Sequence, residues 1–377
     1  MEKYDCIIVG AGASGSSLAI MLARKNLKVL VIDKNNSPSK KLLITGNGKC
    51  NITNFNIKSE FYNQNIDIFF KKFNFFNAKD FFKSIGVHMY QDAQGRCYPI
   101  SNSAKSVVLA IENQFKKLNI NFAGEQLFTS YVKQNNQFIV NTNKNTYSCT
   151  YLVIACQKLD NFSNFSVNYS NYSKSLVALK TKENTKQLNG VRVQNVKASI
   201  LKDNKTIISE FGEVLFKENG LSGICIFNLS AHFARQKSFN GTIILDLLPN
   251  ISDDELLNIL SENAKIYDKN LILTSILNEK LAKYLLSTIS SNFNFEQLIS
   301  LIHNLKFNVI DCYDNNQVFS GGVELYSLTE NLENKNVKNM YFCGEVCNVD
   351  AICGGFNLQW AWTSAGVVSK NIIKKFS

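Results

Sequence analysis

The chain has 377 residues, 45% of them hydrophobic, including 27 Phe, and a formal charge of +11. That length suits two or three domains with a sizeable core, and no apolar run is long enough to span a bilayer. The N-terminus enters an apolar run almost at once, leaving no room for a signal peptide, so a cytoplasmic setting is expected, with no membrane partner. Ten cysteines scattered through a chain of this size favour reduced thiols over a disulfide scaffold. Lysines are spread along the chain with Asn, Ile and Phe. No basic block with interleaved aromatics stands out, so a small-molecule substrate is expected and a nucleic-acid partner is not.

The first unit is Tyr4–Lys34, YDCIIVGAGASGSSLAIMLARKNLKVLVIDK. It reads as strand, glycine turn, helix, strand, acid. Gly10, Gly12 and Gly15 give the G-x-G-x-x-G spacing of a dinucleotide fold. Gly10 allows the tight turn, Gly12 lets a pyrophosphate approach the backbone, and Gly15 lets helix and strand pack closely. Ala13 and Ser14 open the helix, whose free N–H groups and positive dipole end face the phosphates. Asp33 lies about 20 residues on, where a carboxylate binds a ribose 2′-hydroxyl; an acid there argues against a 2′-phosphate.

Ser39–Asn54, SKKLLITGNGKCNITN, has no helical periodicity. Its glycines and its Lys40, Lys41 and Lys49 suit an anion such as a pyrophosphate or the electron-rich end of a flavin. Helices are expected over Asp67–Phe76, Ala78–Ile85 and Ala104–Leu118. Phe69, Phe70, Phe73 and Phe76 read as core, and Gly95–Ser101 as a compact turn. A small meander follows (Phe128–Lys133, Gln137–Asn141, Tyr147–Thr150), then a buried strand, Tyr151–Ala155. Asp160–Ser175 reads as a linker. Short alternating strands over Val196–Leu201, Thr206–Phe211, Glu213–Phe216 and Thr242–Leu247 predict a β-rich second domain, with one helix near Ile224–Arg235. Ser252 and Glu255 form a capping-box pattern that opens a helical stretch to about Leu305.

The chain closes with MYFCGEVCNVDAICGGFNLQWAWTSAG, Met340–Gly366. A strand leads to Gly344, a loop carries Asp350, and Gly354–Gly355 opens a helix near Asn357. A second glycine-opened helix late in the chain suits FAD rather than NAD. It aims a helix N-terminus at the flavin O2/N1 edge, where negative charge collects on reduction.

With these motifs assembled, the sequence resembles the bacterial BaiN-type NAD(P)/FAD-dependent oxidoreductases, also called aminoacetone-oxidase-like flavoproteins. IIVGAGASG, KLLITGNGKCNITN, GRCYPIS, NGLSG, SGGVE and GEVCNVDAICGGFNLQWAW follow that family's pattern in order. The resemblance implies an α/β fold: a Rossmann-like FAD-binding domain (1–175 and 325–377), an inserted β-rich, barrel-like domain (176–250 and 306–324) and a small helical domain (251–305). It implies FAD held by Gly10, Ser14, Gly15, Asp33, Lys34, Lys41, Gly46, Cys50 and Asn51 from the front, and by Gly344, Asp350, Gly355, Phe356, Asn357 and Gln359 from the rear. Where the family continues Thr-Gly-Gly after Ala155, this chain has Cys156–Gln157–Lys158.

Cys343, Cys347 and Cys353 lack the spacing of a zinc ribbon or a ferredoxin, so no metal is expected; a Cys50–Cys347 pair stays open. The three histidines are isolated, and no catalytic acid or base is assigned. Lys41 or Lys49 would stabilise a reduced flavin, and Arg96 and Tyr98 would face the substrate. The expected function is FAD-dependent hydride transfer through flavin N5, with NAD(P)H as a transient donor by family analogy. The alternatives are a flavin-binding protein with degraded catalysis acting as a carrier, sensor or interaction module, and an RNA-modifying flavoenzyme.

Overall fold

The computed structural model describes residues 1–157, 163–203, 205–290, 293–314 and 318–377. Two compact units emerge: Met1–Tyr172 with Gln317–Ser377, and Ser173–Asn316.

The first unit is organised on a seven-stranded sheet among the described residues. Its centre is the strand Glu2–Val9, parallel to Val29–Ile32 on one side and to Thr146–Ile154 on the other. Val29–Ile32 is buried along its whole length, as a parallel strand covered on both faces must be. Thr146–Ile154 is one strand where the sequence suggested two. Its first half pairs antiparallel with Gln137–Thr142, and its second half runs parallel to Met340–Phe342. The chain thus leaves Glu2–Val9 in one direction first and returns on its other side. That makes a topological switch point at Val9 and Ile154, the place where open α/β sheets bind ligands. The C-terminal helix, Phe356–Phe376, packs against the helix Ala13–Ala23 and is buried over most of its length; Trp360 and Trp362 are fully buried.

Several local expectations shift. The helix expected over Asp67–Phe76 is a short turn, Asp67–Phe70, followed by a helix over Phe75–Ser84 that Asn74 caps reciprocally with Asn77. Phe69 and Phe73 are core, but Phe76 is exposed, because the helix restarts there with its apolar face rotated. Arg96–Pro99 is a strand paired with Met89–Gln91 rather than a turn. Of the stretch expected to be a linker, residues 160–162 lie outside the described residues and Tyr169–Ser175 is a strand.

The second unit holds a closed barrel, six strands among the described residues, in the order Leu179–Thr181, Gly220–Ser222, Lys205–Lys217, Arg192–Lys202, Gly241–Asp246, Leu305–Cys312. Leu305–Cys312 alternates buried and exposed positions, one face in and one face out. Strands expected at Thr206–Phe211 and Glu213–Phe216 are one continuous strand. The helices Asp253–Asn263, Glu279–Thr288 and Phe295–His303 share one hydrophobic core with the barrel: Leu256, Leu281 and Ile302 cluster with Phe216, Ile243 and Phe307. Ser252 caps the first helix through the Glu255 N–H. The strand Val318–Val323 groups with the first unit, not with the barrel.

Candidate FAD site

The glycine turn shows three different reasons for glycine. Gly10 sits at φ +106, and a Cβ there would come 2.6 Å from the Cys156 nitrogen. A Cβ on Gly15 would lie 1.9 Å from the Gly10 carbonyl oxygen, so helix and strand pack backbone to backbone. A Cβ on Gly12 would meet nothing within 4 Å. Gly12 is the N-cap of the helix Ala13–Ala23, which has no side-chain cap and no acid in its first turn. Its end is therefore left to an anion. The Ala11 peptide is pinned on both sides. Its N–H donates to Asp33 Oδ2 at 2.6 Å, and its carbonyl accepts from Ser16 Oγ (2.9 Å) and from the Ser39 N–H (2.7 Å). Asp33 Oδ1 accepts from the Asn35 backbone and side chain at 2.7 and 2.9 Å. That leaves part of the carboxylate's capacity of about four acceptor positions for a ribose hydroxyl.

The stretch read as a loop, Lys40–Gly48, is wound in 3₁₀ turns that break at Thr45–Asn47, where Gly46 and Asn47 are left-handed. Lys41 Nζ is 2.9 Å from Glu345 Oε2, and Glu345 Oε1 accepts from the Phe319 N–H at 2.8 Å. Lys41 is therefore ion-paired, and its charge is shared with Glu345 before any cofactor meets it. Lys34 and Lys49 stand exposed. Cys50 is fully buried at φ +59, and burial pushes its thiol up to about 12.

The rear motif meets the front one. A Cβ on Gly344 would lie 2.2 Å from Ser14 Oγ, and a Cβ on Gly355 would lie 2.6 Å from the Thr53 carbonyl and 2.8 Å from Asn51 Oδ1. Gly355, at φ +95, caps the C-terminal helix with no side-chain bond and no acid in its first turn. Asn54 Nδ2 donates to the Gly354 carbonyl at 2.9 Å. Asp350 is buried and accepts from Ser320 Oγ at 3.2 Å; Ser320 belongs to the SGGVE segment. Other residues that the resemblance assigns to the cofactor have internal partners. Asn357 clamps both polar groups of Ala351, at 2.9 and 3.0 Å. Gln359 accepts from Thr53 Oγ1 at 2.5 Å and donates to Thr363 Oγ1 at 3.0 Å. Phe356 packs on Phe61 at 4.8 Å, and its carbonyl accepts from Tyr62. Arg96 is held by Asp92 and Gln94 beside its own strand, so its guanidinium is committed locally.

The residues present fit a dinucleotide. Two uncapped helix starts and an open Gly12 stand together with two polar atoms, Ser39 Oγ and Asn51 Oδ1, that are buried without a partner among the described residues. Buried polar atoms of this kind are costly unless something satisfies them. Ser39, Glu345 and Ser320 are absent from the sequence-based list. Ser39 carried no signal, since a left-handed backbone is not legible in one serine. Glu345 and Ser320 sit inside motifs quoted above, so their motif position was the available clue.

Cys156 is half-buried, with its backbone against Gly10; Lys158 lies outside the described residues. All ten cysteines are described, and none is in a disulfide, the Cys50–Cys347 pair included. Among the described residues no group of three or more His, Cys, Asp or Glu could hold a metal. Burial raises Cys343 to about 12 and lifts Cys347 well above the usual thiol range. A thiol-exchange reagent at pH 8 is therefore expected to label Cys156 and Cys353, the two half-buried thiols, first in the native protein, and the other eight only on unfolding. Mass-spectrometric mapping of labelled sites over time checks this. Rapid native labelling of Cys343 or Cys347 would contradict the burial assigned to them.

No helix among the described residues is long and apolar enough to cross a membrane. Over nearly its whole length the chain resembles a 3-dehydro-bile acid delta(4,6)-reductase of Clostridium scindens, 28% identical with 95% of this chain and 96% of the relative covered. It also resembles a ribosomal RNA dihydrouridine synthase of Escherichia coli, 27% identical with 99% of each covered. In fold it is similar to a 3-ketosteroid delta1-dehydrogenase from Sterolibacterium denitrificans, with a TM-score of 0.52, 9% identity and 100% of both chains covered. The family described as HI0933-like protein Rossmann domain matches residues 4–371. With motifs from its two ends brought together, the chain belongs to that HI0933-like Rossmann family and is an FAD-dependent oxidoreductase.

Proposed function

We propose that this enzyme moves hydride from a reduced nicotinamide to a small molecule carrying a carbon–carbon double bond conjugated to a carbonyl. The observation that carries the reading is the meeting of front and rear motifs: Gly344 lies against Ser14 of the glycine turn beside the switch point of the sheet, and Gly355 lies against Asn51 and Thr53. FAD bound there supplies an isoalloxazine that accepts and donates hydride at N5. The chain's own part is binding and electrostatics. The N–H groups opening at Gly12 would hold the diphosphate, Asp33 would take a ribose hydroxyl, the Asn51 Oδ1 would accept from an N–H of the ring system, and the helix start at Gly355 would stabilise negative charge on it. Asp350, in the same rear segment, is held by the Ser320 hydroxyl. The substrate class rests on the two relatives, whose names both denote adding hydrogen across a ring double bond.

The test is anaerobic stopped-flow mixing of the yellow protein with NADH or NADPH, followed by a panel of cyclic enones. Bleaching by one donor and recolouring by an enone are expected. A flavin that neither donor bleaches would leave the carrier or sensor reading. A second substrate reading, an enone-like base within RNA, is favoured by the charge distribution. The first unit holds 25 of the 41 basic and 15 of the 30 acidic residues, hence +10 of the +11. Retention of ribosomal RNA that weakens steeply with salt, together with recolouring by RNA and not by free enones, would select it.

A further inference from the structure

We propose that the Ser39 hydroxyl is a ligand of the ADP half of bound FAD; the inference rests on the FAD site described above. Ser39 is 1% exposed and left-handed, at φ +58. Its N–H donates to the Ala11 carbonyl at 2.7 Å, and its own carbonyl accepts from the Leu42 N–H at 2.9 Å. Its backbone is therefore fully used in tying the 39–48 stretch to the glycine turn. Its hydroxyl has no partner among the described residues.

Serine is a poor residue for that position on folding grounds alone. A left-handed backbone suits glycine, which has no Cβ to strain. A buried hydroxyl without a partner is unfavourable as well. Glycine would remove both defects and keep both backbone bonds. What only serine supplies is one donor and two acceptor positions beside the Ala11 peptide. Asp33 bonds that same peptide from its other side, and the Gly12 helix start follows it directly. The neighbouring ligand is therefore the sugar–diphosphate portion of the dinucleotide. An O–H···O⁻ bond to a phosphate is of the stronger, charge-assisted kind.

The test compares Ser39→Gly and Ser39→Ala with the wild type, each stripped of flavin and titrated with FAD by fluorescence quenching. Melting curves of the apo forms run alongside. FAD affinity is expected to fall about ten- to hundredfold in both variants, the loss of one charge-assisted bond. Apo Ser39→Gly is expected to melt at or above the wild-type temperature, because its backbone strain is relieved. A purely structural serine predicts the opposite pair: a less stable apo protein and unchanged FAD affinity. Either wild-type affinity in Ser39→Ala or a destabilised apo Ser39→Gly with normal affinity overturns the proposal while leaving the FAD site standing. A wild-type chain that quenches no FAD overturns both.

Discussion

Gly15→Ala is expected to disrupt the first unit, and Gly12→Ala to leave its fold intact while abolishing tight FAD binding. The two glycines are three residues apart, and the difference is one of space. At Gly15 the new methyl would sit 1.9 Å from a backbone carbonyl oxygen and 3.3 Å from Ala155 Cβ, and neither strand nor helix can yield without breaking the parallel pairing. Overpacking costs roughly 1–3 kcal/mol, and a clash with backbone belongs at the top of that range. For a unit of this size that lowers the melting temperature by about 6–12 °C. At Gly12 the backbone is extended, at φ −72, and the methyl meets only open space. There alanine stabilises the apo protein by about 0.4–1 kcal/mol by restricting the unfolded chain. The same methyl stands where a phosphate must approach the helix N–H groups. Calorimetry of the apo proteins and flavin content after purification separate the two outcomes. A Gly12→Ala protein that purifies fully yellow would show that no phosphate lies on that turn.

Gln359→Leu is expected to act on stability before it acts on flavin. Gln359 is fully buried, and its amide joins Thr53 of the front loop to Thr363 of its own helix. Leucine fills a similar volume but leaves Thr53 Oγ1 without its acceptor, at about 1–3 kcal/mol. Thr363 keeps its bond to the Phe73 carbonyl at 2.9 Å. Thr53→Val in the Gln359→Leu background should recover part of the loss, since both partners are then apolar. A double-mutant cycle by urea unfolding measures the coupling. Additive effects in that cycle would mean the Thr53–Gln359 bond contributes nothing to joining the two chain ends.

The front unit was readable because its constraints are local. Strand, turn, helix, strand and acid fall within about thirty residues, and each glycine's role follows from short-range sterics that spacing encodes. A β-rich second domain was foreseen from alternation, its barrel-like form from the family resemblance, and the C-terminal helix from the glycine pair that opens it, although strand ends were misplaced where Lys205–Lys217 runs on through Gly212. The pairing of roles within the site was less legible. Lys41 read as a free cation and is ion-paired to Glu345, 304 positions away. Asn357 and Gln359 read as cofactor ligands, and their amides are bonded to Ala351, Thr53 and Thr363. Ser39 went unread because its significance lies in a backbone angle and in a missing partner.

Glycine spacing, hydrophobic periodicity and the order of motifs along the chain already named an FAD-type Rossmann enzyme with a β-rich insert. Only the folded chain decided which polar groups are spent on the protein itself and which are left over. A hydrogen bond between residues 53 and 359 has no trace in local sequence, because its partners are chosen by packing. A group's availability to a ligand is what remains after that packing has taken its share.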